Sequence, residues 1–386
     1  MRYAQNNRTR VHRRLALLGI VAALSLGLGF SLGRWTAPKT PAKTKTVVVK
    51  AKAKPAKKAG SSLPRAINNT MQEALERPLA QQHFSGTALM VKHNRIVAEY
   101  SAGYANAARK RLNTADTMFQ IDSLQKSLTA GLVMQQMVLG KLALTTPVGQ
   151  FSSRLQGEPT LTVAHLLHMN SGLSTPHTLV PKYQSDAQLV AYDAAHLTVR
   201  PKTLGQYAYM PVNYVLLAGI LEQITQQDYQ QLFMGLYRDR LALKHTAMAY
   251  DLSATQPVAT GYSLKGSNLY AEPQFVSKDT MHAELGTGQV YMSATDLFRA
   301  EQALVSGKLL GVTPAALYPA GQHYGGGFYL NEPQALHANG SGYGFLSTVQ
   351  ISRDGQSGVV ILGNVQGQNR ARFLNTATQL WQQYLL

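Results

Sequence analysis

The sequence predicts an α/β (α+β) body, with one antiparallel sheet assembled from both chain ends and the helices between them forming a second lobe. Three observations predict it. Residues 87–91 and 96–100 read as a hairpin turning at His93-Asn94, early in the body. Near the end, Phe345, Ser347, Val349 and Ile351 face one way along a strand, Asp354-Gly355 marks a turn, and residues 359–362 form the return strand. Between these ends, from Ser123 to about Ala249, the signals are helical.

The elements follow in order. Residues 1–14 are basic, with Arg2, Arg8, Arg10, Arg13 and Arg14. Residues 15–33 then carry no charge for 19 positions. As a helix this run rises about 28 Å, close to the hydrocarbon thickness of a bilayer. Residues 15–35 are therefore expected to be a single-pass membrane anchor, with the arginines on the cytoplasmic side and the body outside. The alternative is a cleaved signal peptide; Ala23-Leu24-Ser25 is a passable small-x-small site, although cutting there leaves a short apolar core. Residues 36–62 hold eight lysines and no acid, in a background of Ala, Pro and Thr. Such a segment repels itself and stays extended, as a spacer across a cell wall. A sharper reading is that it samples a polyanion, and outside a bacterial membrane the abundant polyanions are teichoic acids. Residues 63–386 are the body, opening with a helix over 65–79. It ends in an amphipathic helix with Phe373, Ala377, Leu380, Trp381 and Tyr384 on one face. No internal repeat is visible.

Charge excludes one tempting class. The chain has 386 residues and a formal net charge of +18, which invites a nucleic-acid reading. Yet residues 1–60 hold 14 of the 37 basic residues and none of the 19 acidic ones. The body is close to neutral, and a nucleic-acid-binding fold needs its basic residues on one folded face. The absence of cysteine excludes disulfides, thiolate metal sites and a Cys nucleophile. No metal-ligand spacing is visible either.

The candidate nucleophile is Ser123, in Ile121-Asp122-Ser123-Leu124-Gln125-Lys126. This segment opens an apolar helix with Leu124, Leu128, Leu132 and Leu139 inward. Three-residue spacing puts Ser123 and Lys126 on one helix face. A serine hydroxyl is a poor nucleophile until a neighbouring base takes its proton, and a desolvated lysine can do so. The helix N-terminus adds positive potential where an oxyanion would form. Standing alone, this spacing would more often be a cap and a surface lysine.

It stands with others, in order: Thr162-Val163-Ala164-His165-Leu166-Leu167-His168-Met169-Asn170-Ser171-Gly172-Leu173; Tyr207-Ala208-Tyr209-Met210-Pro211-Val212-Asn213; Gly286-Thr287-Gly288-Gln289-Val290-Tyr291-Met292-Ser293-Ala294-Thr295-Asp296-Leu297; and His337-Ala338-Asn339-Gly340-Ser341-Gly342-Tyr343-Gly344-Phe345. From about residue 65 to the end, the set resembles the serine β-lactamase and penicillin-binding protein superfamily, in its class C β-lactamase-like branch. It is similar there to D-alanyl-teichoic acid esterases and DD-carboxypeptidase-like proteins of Gram-positive bacteria. The resemblance implies an all-α lobe inserted into an α/β lobe, with the active site in the cleft between them and no cofactor.

It also implies roles. Ser123 is the acylated nucleophile and Lys126 the proton acceptor or part of a relay. The second motif, Tyr-x-Asn, falls on Tyr209 counting back from Asn213, or on Tyr207 counting forward from Pro201; Tyr209 is favoured. Pro211 stands where the motif has Asn, so that amide's work is lost or passes to a residue such as Asn213. The third motif, Lys-Thr-Gly or His-x-Gly, becomes Ala338-Asn339-Gly340. His337 sits one place early, and strand alternation turns it to the opposite face unless a bulge rotates it back. The oxyanion hole needs only backbone N–H groups, those of Ser123 and Ser341, or Gly340 if the register shifts. Asp122 and His168 read as caps or structural hydrogen-bonders.

In penicillin-recognising relatives the third motif helps bind the substrate carboxylate. Losing both side chains removes charge-assisted hydrogen bonds of roughly 1.5–3 kcal/mol each. A D-alanyl ester has no such carboxylate, so D-alanyl ester hydrolysis on lipoteichoic or wall teichoic acid is the leading expectation. The alternatives are a D-Ala-D-Ala carboxypeptidase acting on a peptidoglycan-derived substrate, hydrolysis of another small ester or amide, and a degenerate binding protein. The sequence gives no oligomeric state.

Overall fold

The N-terminal hairpin pairs β1 (Gly86–Lys92) with β2 (Arg95–Ala102) in antiparallel fashion. Its turn residues His93 and Asn94 have φ of 50° and 63°, the left-handed pair that a tight two-residue hairpin turn requires. The computed structural model describes residues 62–176, 181–367 and 369–386. The basic terminus and the anchor expected over 1–35 lie outside the described residues, as does the linker expected over 36–62 except for its last residue. Among the described residues no helix is long and apolar enough to cross a membrane.

The C-terminal strands are β3 (Tyr324–Gly325), β4 (Phe328–Tyr329), β5 (Ala335–Gly342), β6 (Phe345–Ser352) and β7 (Gly358–Gly363). All seven form one sheet in the order β3-β4-β5-β6-β7-β1-β2, with every neighbouring pair antiparallel. The register of β1 on β7 runs from Gly86 opposite Gly363 to Val91 opposite Gly358. The two chain ends therefore meet inside a single sheet, as the sequence pattern implied.

Both faces of this sheet are covered, which is why its strands read as apolar runs. Leu89, Val91, Val349, Ile351, Val360 and Leu362 face one core, shared with α2 (Gln125–Val138), α3 (Val212–Thr225) and α4 (Ala294–Val305). Ala88, Met90, Leu346, Val359 and Ile361 face a second core, closed by α1 (Asn69–Ala80) and α5 (Arg370–Leu380). Phe373, Ala377, Leu380 and Trp381 fill the latter, as the terminal helix was read.

Three boundaries differ from expectation. The first helix begins at Asn69 rather than 65, because Ala66 and Asn68 donate their backbone N–H to Ile96 and Val97 (2.8 and 2.9 Å) and extend along β2. Asn68 then caps the helix, its side chain accepting from Met71 N at 3.1 Å. Leu139 is 61% exposed, for it lies past the last turn of α2, whereas Leu124, Leu128 and Leu132 are buried. The central helical block is interrupted by the paired segments Leu173–Ser174 and Thr198–Val199, and by Thr246–Met248.

Candidate active site

Ser123 lies in a single 3₁₀ turn, Asp122–Leu124, that runs directly into α2. Strands hold this turn from two sides. On one side, Ile121 donates its N–H to Val290 O at 3.0 Å, beside the pairing of Phe119–Gln120 with Val290–Met292. On the other, Ser347 of β6 donates its hydroxyl to Ile121 O at 2.8 Å. β5 passes so close that a Cβ on Gly340 would overlap both Ser347 Oγ and the Ile121 carbonyl oxygen. Only glycine fits there, which explains the glycine of the third motif.

Lys126 follows one turn later, 1% exposed. Its Nζ donates to Ser123 Oγ at 2.9 Å and to Thr287 O at 3.4 Å. Among the described residues no carboxylate pairs with it directly. The Tyr209 ring lies over the same ammonium, 5.4 Å from Nζ to centroid, within cation–π range. Tyr207 is 40% exposed and packs against His323 and Tyr324 instead. The frame counted back from Asn213 is thus the one that reaches Lys126.

The motif at residues 168–173 builds the clamp for Tyr209. Ala208 donates its N–H to Met169 O at 2.8 Å, and Gly205 to Asn170 O at 2.7 Å. Ser171 donates to Asn213 Oδ1 at 2.5 Å, and Asn213 Nδ2 donates to Met210 O at 2.9 Å. Asn213 is fully buried in this network. Its amide is spent holding the Tyr209 loop to α3, so it does not replace the missing Asn of the second motif as a substrate ligand.

The third motif needs two further corrections. β5 and β6 pair without a register shift from Ala335 to Gly342, so no bulge rotates His337. Ala338 joins the core that contains Ile121 and Leu124, on the Ser123 side. His337 and Asn339 alternate to the opposite face. His337 stacks on Tyr329 with ring centroids 4.9 Å apart. Burial and the neighbouring His323 push it down to about 4, so it is uncharged at neutral pH. The Asn339 side chain accepts from Thr348 Oγ1 at 2.9 Å. Through Tyr329 and Tyr324 the His337 ring joins the aromatic group that packs on Tyr209, while the Asn339 amide is engaged by Thr348. Ser341 remains at the exposed end of β5, where its hydroxyl accepts from Gln366 Nε2 at 2.9 Å.

Sequence reasoning missed an acidic arrangement beside Ser123. Asp122 caps nothing. It has φ +47° and is 4% exposed, and its Oδ2 has no hydrogen-bond partner among the described residues. Burial first, then Glu284, hold its carboxyl well above the usual carboxylate range, with Lys126 opposing. Glu284 accepts from Tyr343 OH at 2.8 Å and from Thr287 Oγ1 at 2.7 Å. The signal available was Asp122 itself, at the position before a candidate nucleophile. Among the described residues no cluster of His, Asp and Glu could hold a metal ion.

A model of the beta-lactamase family matches residues 67–380. A penicillin-binding protein, PbpX, of Bacillus subtilis is 26% identical over 334 residues, covering 86% of this chain and 82% of its own. The teichoic acid D-alanine hydrolase of Staphylococcus aureus is 26% identical over 311 residues, covering 77% of this chain and 75% of its own. In fold, the crystal structure of FmtA from Staphylococcus aureus superposes with a TM-score of 0.71 at 23% identity, covering 86% of this chain and 93% of that one. A class C beta-lactamase from Rhodobacter sphaeroides gives 0.64 at 21% identity, covering 81% and 98%. The family model spans both lobes and the turn that joins Ser123 to Lys126, so the chain belongs to the beta-lactamase family and is a serine hydrolase.

Proposed function

We propose that this chain hydrolyses D-alanyl esters of lipoteichoic or wall teichoic acid through an acyl-enzyme on Ser123, from a membrane-anchored position outside the cell. One observation carries the reading. The Ser123, Lys126 and Tyr209 side chains converge, while the position that would hold a substrate carboxylate is the methyl group of Ala338, with His337 uncharged and stacked on Tyr329 and Asn339 bonded to Thr348. Acylation chemistry is complete and the carboxylate clamp is missing. A terminal D-Ala-D-Ala peptide needs that clamp; an esterified D-alanyl group has no carboxylate to offer it. The similarity to a teichoic acid D-alanine hydrolase supports the same substrate class.

The steps follow from the side chains. Ser123 Oγ bonds to the ester carbonyl carbon as its proton passes to Lys126 Nζ, which accepts it as the neutral amine. Backbone N–H groups of Ser123 and Ser341 stabilise the oxyanion. The C–O bond to the polymer breaks, and the departing alkoxide takes a proton relayed through Tyr209. Water then attacks the D-alanyl-Ser123 ester, giving up a proton to the same relay, and releases D-alanine with Ser123 restored. The uncharged segment at 15–33 and the lysine-rich segment after it support the anchored placement beside an anionic polymer.

The test is release of D-alanine when the full chain, in detergent micelles, meets D-alanylated lipoteichoic acid. Release by the wild type and none by Ser123→Ala is expected. A wild type that releases none, yet is rapidly acylated by a fluorescent penicillin, would establish the carboxypeptidase reading instead.

A further inference from the structure

We infer that Asp122 and Glu284 form an acceptor site for the α-ammonium of the acyl group, making the enzyme selective for aminoacyl esters over acyl esters that lack the amine. The inference rests on the ester-hydrolase reading and deepens it. Asp122 is the residue before the nucleophile, held in the left-handed region, buried, with Oδ2 unpartnered among the described residues. A buried acceptor left unmet costs about 1–3 kcal/mol, and left-handed backbone at a residue other than glycine adds to that. Unmet groups and strain of this kind concentrate where a ligand completes the structure.

The surroundings fit a cation. Asp122 Oδ1 lies 3.0 Å from the point a Cβ on Gly342 would occupy, so its carboxylate sits against the end of β5 just past Ser341. Glu284 is bound there to Tyr343 and Thr287, and its charge acts on Asp122. Glu284, Gly342 and Tyr343 beside the buried Asp122 are each partly exposed. Neither carboxylate has an ion-pair partner among the described residues. Lys126 is the cation nearest the pair in effect, lowering what burial and Glu284 raise.

Substrate chemistry supplies the rest. In an aminoacyl ester the ammonium is carried by the carbon next to the carbonyl. Once Ser123 Oγ attacks the carbonyl carbon, that nitrogen is two bonds from it and must lie beside the Ser123 turn. An ammonium there adds to the opposing effect of Lys126, drawing the Asp122 carboxyl toward its charged form beside Glu284, and meets an aromatic ring at Tyr343. A carboxylate in the same place is repelled. The acidic pair therefore acts in the same direction as the missing clamp on β5.

The test compares matched glycerol esters, D-alanyl and propionyl, which differ by the amine. The wild type should favour the D-alanyl ester in kcat/KM by about 10- to 100-fold. Asp122→Asn, which keeps the shape and tolerates the left-handed backbone, and Glu284→Gln should each cut that preference by about 10-fold. A ratio between two esters cancels any loss of folded enzyme, and Glu284→Gln provides a second reading should Asp122→Asn express poorly. Hydrolysis of both esters by the wild type at equal kcat/KM overturns the ammonium site alone. So does a preference that survives both substitutions. Hydrolysis of neither ester overturns the ester-hydrolase reading and the site with it.

Discussion

Ser127 Oγ is hydrogen-bonded to the carboxyl of Glu301, a residue of α4 with no exposed surface. The residue next to Lys126 is thereby tied to the helix behind it. Burial pushes Glu301 up to about 8, against an ordinary value of 4.5. In the window between those values the unfolded chain sheds this proton while the folded chain keeps it. The contribution to stability is thus full below the ordinary value and is lost as pH rises through about 8. Thermal unfolding should occur at lower temperature at about pH 8.5 than at about pH 5. Glu301→Gln should flatten this dependence by on the order of 2–4 kcal/mol. A melting profile with the same slope in the variant would contradict the assignment.

Lys126→Ala should cost about as much activity as Ser123→Ala. The two side chains act as one unit at 2.9 Å, and losses within such a unit do not add. The double variant should be no slower than either single one. Additive losses in D-alanine release would show that Lys126 acts separately from the nucleophile.

Tyr209→Phe should lower kcat by roughly 100-fold or more, the scale of a general acid–base group. Tyr207→Phe should cost little, because its ring packs on His323 and Tyr324 rather than over Lys126. The reverse ranking in steady-state kinetics would move the second motif to the other frame.

Much of the fold was legible because strands buried on both faces read as short apolar runs bounded by turn residues. The hairpin at 87–100, the return strand at 359–362 and the terminal helix all lie within elements of the matching type. The start of α1 was not legible, because residues 65–68 hydrogen-bond to an edge strand and carry no periodic signal of their own. In the site, three-residue spacing was enough to pair Ser123 with Lys126. Strand alternation puts His337 on the other face of β5 from Ala338, but gave no sign that it would stack on Tyr329. Asn213 misled because an amide after the motif reads equally as ligand or brace; only its bond to Ser171 decides. The Asp122–Glu284 relationship spans about 160 positions of chain, and local spacing has no means of revealing a contact of that range.

Ala338→Lys should gain acylation by penicillin, because position 338 shares a core with Ile121 and Leu124 on the nucleophile's side of the sheet. The gain should be about 10-fold, the low end of a charged hydrogen bond, since lysine must fit where a buried methyl group sits. Asn339→Thr should leave penicillin labelling near wild type, its side chain being on the far face beside Thr348. Second-order labelling by a fluorescent penicillin measures both. A gain from Asn339→Thr and none from Ala338→Lys would reverse the facing of β5.

The central claim is that Ser123 carries a D-alanyl group during turnover. The most direct measurement is the intact and peptide mass of the wild type, acid-quenched at a series of short times after mixing with D-alanylated lipoteichoic acid. The account predicts a mass gain of one D-alanyl residue, located on Ser123 and absent when Ser123 is Ala. Release of D-alanine with no adduct at any quench time, or an adduct on any other residue, would contradict it.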